Sequence, residues 1–253
     1  MNPNLPVGGS QADQAGLGSG RFRLALNASV IAQDAGFDAA IFELDARVGV
    51  GGGASLGVTA PLIYAPDAPH EPLGTGALAA MGRFAHRALG PIVPSAGVGV
   101  SIPTKPGSDL PPTEQGFVTG SFDPLIEAQA TTDPALRFGG FLALFARPVL
   151  YDGGNDRREG DTYVLTGGPR VHVLGDRLTL DLAPLWMHRT ARDGVRAADW
   201  LFVVPRVASR FGRFGVSLGA RLPVAQPDAA GEPRTAWAAT LGLSVSGRAL
   251  GSD

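Results

Sequence analysis

The chain has 253 residues, 44% of them apolar and only 17% charged, with a net charge of −2 and a pI near 6.1. Soluble surfaces usually carry charge on about a quarter of their residues, so something other than water is expected to touch much of the exterior. The near-neutral balance argues against a nucleic-acid partner, the absence of cysteine removes disulfides and thiolate metal sites, and no run of about 18 apolar residues offers a membrane-spanning helix.

Residues 1–20 are rich in Gly, Ser, Asn, Pro and Ala and read as a flexible lead-in that can also fold into a lumen. They lack the basic and apolar regions of a signal peptide, so an exported protein is expected here in its mature form. From Arg21 to residue 250 the chain reads as one domain with an apolar period of two. Strands are expected at 21–32, 38–50, 54–64, 76–86, 94–105, 116–130, 136–150, 161–174, 177–189, 198–210, 212–222 and 235–249. In the second, Phe42, Leu44, Ala46, Val48 and Val50 share one face and Glu43, Asp45, Arg47 and Gly49 the other. The ninth sets Leu178, Leu180, Leu182 and Trp186 against Thr179 and Asp181. The eleventh sets Phe214, Val216 and Leu218 against Arg213, Gly215 and Ser217, and the twelfth sets Trp237, Leu241 and Leu243 against Thr240, Gly242 and Ser244. A helix would scatter these sets around its circumference.

Alternation alone also fits a soluble sandwich, so the connections decide. They alternate between long (33–37, 65–75, 106–115, 151–160, 190–197, 223–234) and short (51–53, 87–93, 131–135, 175–176, 211). Long outer loops, short periplasmic turns, an even strand count and both termini periplasmic are what a bacterial transmembrane barrel shows. The expected fold is therefore all-β: a transmembrane antiparallel up-and-down barrel of about twelve strands in the outer membrane of a Gram-negative cell, in contact with lipid and lipopolysaccharide.

Tyr64, Tyr151, Tyr163, Trp186, Trp200 and Trp237 all lie next to long connections and are expected to form a membrane-interface belt. Phe22, Phe84, Phe138, Phe211 and Phe214 mark the short-turn end, and Phe37, Phe42, Phe117 and Phe122 the long-loop end. Charges fall mostly on the opposite parity and are expected to line the lumen: Arg21, Arg23, Glu43, Asp45, Arg47, Arg83, Glu127, Arg147, Arg170, Asp181, Arg213 and Arg221, with Arg137 and Arg248. On the lipid face such groups would cost roughly 2–4 kcal/mol each at mid-depth, whereas paired across strands they satisfy one another. Lys105 is the single lysine, and arginine is the better partner for fixed carboxylate pairs. Two features resist this reading. Pro124, Pro169, Pro184 and Pro205 fall inside strands, where each removes a ladder donor. The tenth strand breaks parity, because Trp200, Phe202 and Val204 are followed on one face by Arg206, and a bulge is expected there.

No enzyme is expected. Gly53-Ala-Ser55-Leu-Gly57 and Gly215-Val-Ser217-Leu-Gly219 match the nucleophile elbow of serine hydrolases, but no helix follows either, and small residues alternating on an inward face produce the same string. Gly49-Val-Gly51-Gly-Gly53 precedes a strand, so it is a hairpin turn and not a dinucleotide loop. Asp152, Asn155, Asp156, Glu159 and Asp161 crowd one long loop at no EF-hand spacing, and His70, His86, His172 and His188 have no metal-binding spacing. No metal or cofactor is expected.

The stretches Phe42-Glu-Leu-Asp-Ala-Arg-Val-Gly-Val-Gly51 and Gly97-Val-Gly-Val-Ser-Ile-Pro-Thr104 resemble the outer-membrane barrels described as transporters of the meta-pathway of phenol degradation. Lys105 stands where that family usually has glycine, and Arg248-Ala-Leu-Gly-Ser-Asp253 ends without an aromatic residue. The resemblance implies a passive channel for small hydrophobic or aromatic molecules. Inward arginines also allow a pore for small anionic solutes, and a structural barrel with a plugged lumen is the third reading.

Overall fold

The computed structural model describes residues 17, 19–35, 38–67, 73–86, 90–102, 122–133, 135–149, 160–174, 177–191, 196–227 and 234–248. The strands are β1 (Arg21–Ala35), β2 (Ala39–Gly51), β3 (Ala54–Tyr64), β4 (Leu73–Thr75), β5 (Leu78–Ala85), β6 (Ile92–Ile102) and β7 (Asp123–Thr132). They continue with β8 (Phe138–Arg147), β9 (Thr162–His172), β10 (Leu178–Arg189), β11 (Ala198–Phe211), β12 (Phe214–Ala225) and β13 (Arg234–Arg248).

Every pairing is antiparallel, and all join chain neighbours except β3 with β5, which skips the short β4, and β1 with β13, which closes the ring. The short β4 and the longer β5 pair with successive halves of β3, so they occupy one position and the barrel has twelve staves. Full closure leaves no unpaired edge, which is the condition for a sheet to stand in hydrocarbon. At the short-turn rim the β2–β3 turn places Gly51, Gly52 and Gly53 at φ of 110°, 60° and 86°, and Gly212 at 61° turns β11 into β12. Only glycine adopts this left-handed region without strain. Strand β1 starts and β13 ends at this rim, with Arg21 opposite Arg248.

The two faces of the wall divide by parity. Leu24, Leu26 and Val30 of β1, Phe42, Leu44 and Val48 of β2, and Leu241 and Leu243 of β13 point outward and are exposed to the surroundings, as are Leu180 and Leu182 of β10. Exposed apolar side chains on every stave form a continuous band that water would penalise by about 25 cal/mol per Å² and lipid would not. Phe84, Phe138, Phe211 and Phe214 ring the short-turn end of that band, while Phe42 and Phe122 lie toward the other end. Phe37 and Phe117 lie outside the described residues.

Pro169, Pro184 and Pro205 are accommodated by lapses in single ladders, and Pro124 pairs with Val100 of β6 ahead of the first β7–β8 pair at Ile126. Between β9 and β10 pairing runs to Asp181 opposite Arg170 and resumes at Leu185 opposite Thr166, and the skipped stretch holds Pro169 and Pro184. Each keeps its pairing on the other side, Pro169 with Gly140 of β8 and Pro184 with Val203 of β11. Between β11 and β12 pairing lapses from Val203 opposite Leu222 to Arg206 opposite Gly219, and Pro205 sits there while staying paired to Leu182. In an antiparallel strand a residue bonds toward one neighbour only, so a missing N–H is felt on one side. Thr166 Oγ1 donates to the Pro184 carbonyl oxygen at 3.0 Å and satisfies one of the freed acceptors.

Candidate functional site

The inner wall carries the polar chemistry, and it is not uniform. Arg83 reaches both Glu127 oxygens, donating from Nε to Oε1 at 3.2 Å and from Nη2 to Oε2 at 2.9 Å. Arg170 holds Asp181 through two bonds of 2.7 and 3.1 Å, and Arg206 reaches the same carboxylate at 3.4 Å. Asp45 and Arg47, two apart on β2 and therefore on one face, are joined at 2.8 Å, and Thr59 donates to Asp45 from β3 at 3.0 Å. Asn27 donates to Glu43 at 3.2 Å, and Arg147 lies 3.8 Å from Asp123. These groups are packed among one another, where a charge without its partner would cost several kcal/mol and a bidentate pair recovers most of that.

Toward the long-connection end, the arc from β5 to β11 lines the lumen with apolar side chains. Met81, Leu125, Phe145, Val164, Leu185, Met187, Trp200, Phe202 and Val204 form one buried cluster. Trp200 and Phe202 are 2% and 0% exposed. Guanidinium groups cover their rings, Arg189 at 5.4 Å from the Trp200 centroid and Arg221 at 5.3 Å from that of Phe202. Toward the short-turn end a cavity of about 1060 Å³ opens among Arg21, Arg23, Arg213, His172, Ser217 and Ser244.

Ten of the twelve residues expected to line the lumen are buried or half-buried on the inward face: Arg23, Glu43, Asp45, Arg47, Arg83, Glu127, Arg147, Arg170, Asp181 and Arg221. Arg21 and Arg213 stand exposed at the cavity mouth. The interface belt needs a correction. Tyr64, Trp186 and Trp237 are outward and exposed, and Tyr163 is half-buried, but Trp200 points into the lumen. On β11 both faces are apolar in this stretch, so apolarity does not say which one meets lipid; the outward residues are Asp199, Leu201, Val203 and Pro205. Tyr151 lies outside the described residues, as do most of the acidic loop and His70.

The same correction removes the bulge expected at Arg206. Ala198, Trp200, Phe202, Val204 and Arg206 all face inward in unbroken register with β10, and the one shift on this strand falls between Leu201 and Phe202 against β12. Arg206 is therefore hidden in the sequence as a lumen residue, because its apolar face-mates read as lipid contacts. Asp123, fully buried, shares the inward parity of Glu127, and that parity is the signal in the sequence that marks it. Near the long-connection rim on the outer face, Asp199 accepts from Trp186 Nε1 at 2.9 Å and pairs with His188 at 3.0 Å, while the Trp186 and His188 rings stack at 5.7 Å.

No protein-family model matches the sequence, and no curated protein does either. Solved structures do. The chain is similar to the COG4313 outer membrane channel from Pseudomonas putida F1, with a TM-score of 0.72 at 13% identity, over 93% of this chain and 98% of that one. It is also similar to the KdgM porin, with a TM-score of 0.51 at 8% identity, over 87% of this chain and 98% of that one. At these identities the likeness establishes the fold, a closed antiparallel barrel.

Proposed function

We propose that this protein is a bacterial outer-membrane channel through which small molecules cross passively, with its short turns and both termini on the periplasmic side and its long connections facing lipopolysaccharide. The observation that carries the reading is the division of one closed wall into an apolar outside and a charged, cavity-bearing inside. The barrels it resembles in shape include two that are named for a channel and a porin. Small solutes with an apolar or aromatic part are the favoured class, because Trp200, Phe202, Phe145 and Met187 give the lumen an apolar patch and because the sequence resembles the phenol-pathway barrels. The experiment is conductance of the refolded full chain in planar bilayers, where discrete, lasting current steps are expected.

The plugged structural barrel has its own supporting observation, since that cluster and the ion pairs of Asp181 and Glu127 occupy the arc from β5 to β11. Silent membranes containing correctly folded barrel would sink the channel reading in its favour. Passage of anions is supported only near the short-turn end, because Arg47, Arg83, Arg170 and Arg206 each face a carboxylate.

A further inference from the structure

Strands β12 and β13 present almost nothing but glycine and serine to the lower lumen: Gly215 and Ser217 on one, Gly242 and Ser244 on the other, with Ser246 below. Register sets Gly215 opposite Ser244 and Ser217 opposite Gly242, so each hydroxyl stands over a residue without a side chain. That interlock is tight. A Cβ on Gly242 would lie 2.5 Å from Ser217 Oγ and 2.8 Å from Asn27 Oδ1, and one on Gly215 would lie 2.6 Å from Ser244 Oγ. The recess is thus a built part of the wall, and all five residues line the cavity.

Arginine flanks the recess on both sides. Arg21 and Arg23 of β1 adjoin β13, and Arg213 opens β12. Among the described residues none of the three has a carboxylate partner, in contrast to the paired arginines deeper in the lumen. Arg23 also lies in register with Arg47, and like charges directly opposite on neighbouring strands repel. Guanidinium groups without a carboxylate partner among the described residues, standing beside clustered hydroxyls around open volume, are complementary to an oxyanion that accepts forked N–H bonds and O–H bonds together.

We infer that the recess formed by Ser217, Ser244 and Ser246 between Arg21, Arg23 and Arg213 is a binding site for solutes bearing carboxylate or phosphate groups, entered from the short-turn rim. The inference rests on the barrel standing with this recess open to water, and not on its conducting. A solute held there presents its anionic end to the arginines and any apolar part toward the cluster around Phe202.

Titration calorimetry of the refolded full chain in neutral detergent micelles with chloride as background salt, using citrate and inorganic phosphate as probes, tests it. Saturable binding of at least one probe is expected. Replacing Arg21, Arg23 and Arg213 together by serine should weaken it by about a hundredfold or more, since each lost charge-assisted bond is worth on the order of 1.5–3 kcal/mol and tenfold is 1.4. Changing Ser217, Ser244 and Ser246 to alanine, which keeps the volume, should weaken it about tenfold, at roughly 0.5–1.5 kcal/mol per neutral bond. Arg196→Ser, exposed at the opposite rim and outside the cavity lining, should change nothing. Heat-modifiable migration on gels identifies variants that still fold. No saturable binding of either probe, or equal binding by wild type and both folded triple variants, overturns the site. Binding without conductance would leave the site standing and remove the channel; conductance without binding would do the reverse.

Discussion

Two arcs of the same barrel solve the problem of the lumen in opposite ways. From β5 to β11 the inward side chains are large and meet one another, as aromatic and aliphatic packing at one end and forked ion pairs below it. Near the short-turn ends of β12, β13 and β1 they are glycine, serine and the arginines Arg21, Arg23 and Arg213, which have no carboxylate partner among the described residues, and the cavity lies against them. In a ring whose circumference is fixed by strand number and tilt, open space comes from which side chains are left out. The difference is one of side-chain bulk: large inward groups fill one arc, and the open volume, whose wall also includes Arg170, Thr179 and Arg206, extends against the small ones.

The comparison breaks most severely at Asp181. Asp181→Ala removes the carboxylate that Arg170 and Arg206 share, and a loss of about 3–5 kcal/mol is expected in equilibrium urea unfolding monitored by tryptophan fluorescence. Truncating Phe202 to alanine should cost about 3–5 kcal/mol by the same measurement while widening the filled arc, so conductance should rise as stability falls. A stability loss with unchanged current would mean that the cluster does not bound the pathway. Gly242→Val pushes bulk into the empty arc against Ser217 and Asn27; about 1–3 kcal/mol of overpacking strain is expected, with reduced current, which inverts the Phe202 result. The smallest effect is expected outside the lumen. Trp186→Phe deletes one bond to Asp199 and should cost about 1 kcal/mol with conductance unaltered.

Much of the architecture was legible because a barrel wall forces a strict period of two, and that period survives in Phe42 to Val50 or Phe214 to Leu222 without any knowledge of neighbours. The alternation of connection lengths pointed to closure. What parity does not carry is the identity of the inner face where both faces are apolar. Trp200 and Phe202 look like lipid contacts in sequence, and only their register with β10, which places them beside Leu185 and Met187, turns them inward. The same ambiguity hid Arg206. Ion pairs were legible as a set of inward charges but not as partners, because Arg83 and Glu127 stand on β5 and β7 with β6 between them, and no sequence spacing encodes that reach. The serine-glycine recess is legible as two inward faces, Gly215 with Ser217 and Gly242 with Ser244, but their interlock across the β12–β13 register is not.

The proline lapses divide the wall unequally in the time domain. At Pro169, Pro184 and Pro205 the ladders β9–β10 and β11–β12 each lose part of their cross-links, whereas β13 to β1 to β2 runs with pairing at almost every residue. Backbone amides open locally where cross-links are sparse and last where they are dense. The seam that breathes is therefore the one behind the packed aromatic arc, while the staves carrying Arg21 and Arg23 are clamped on both sides. An oxyanion arriving at the recess meets, on β1, guanidinium groups whose backbone is densely paired on both sides.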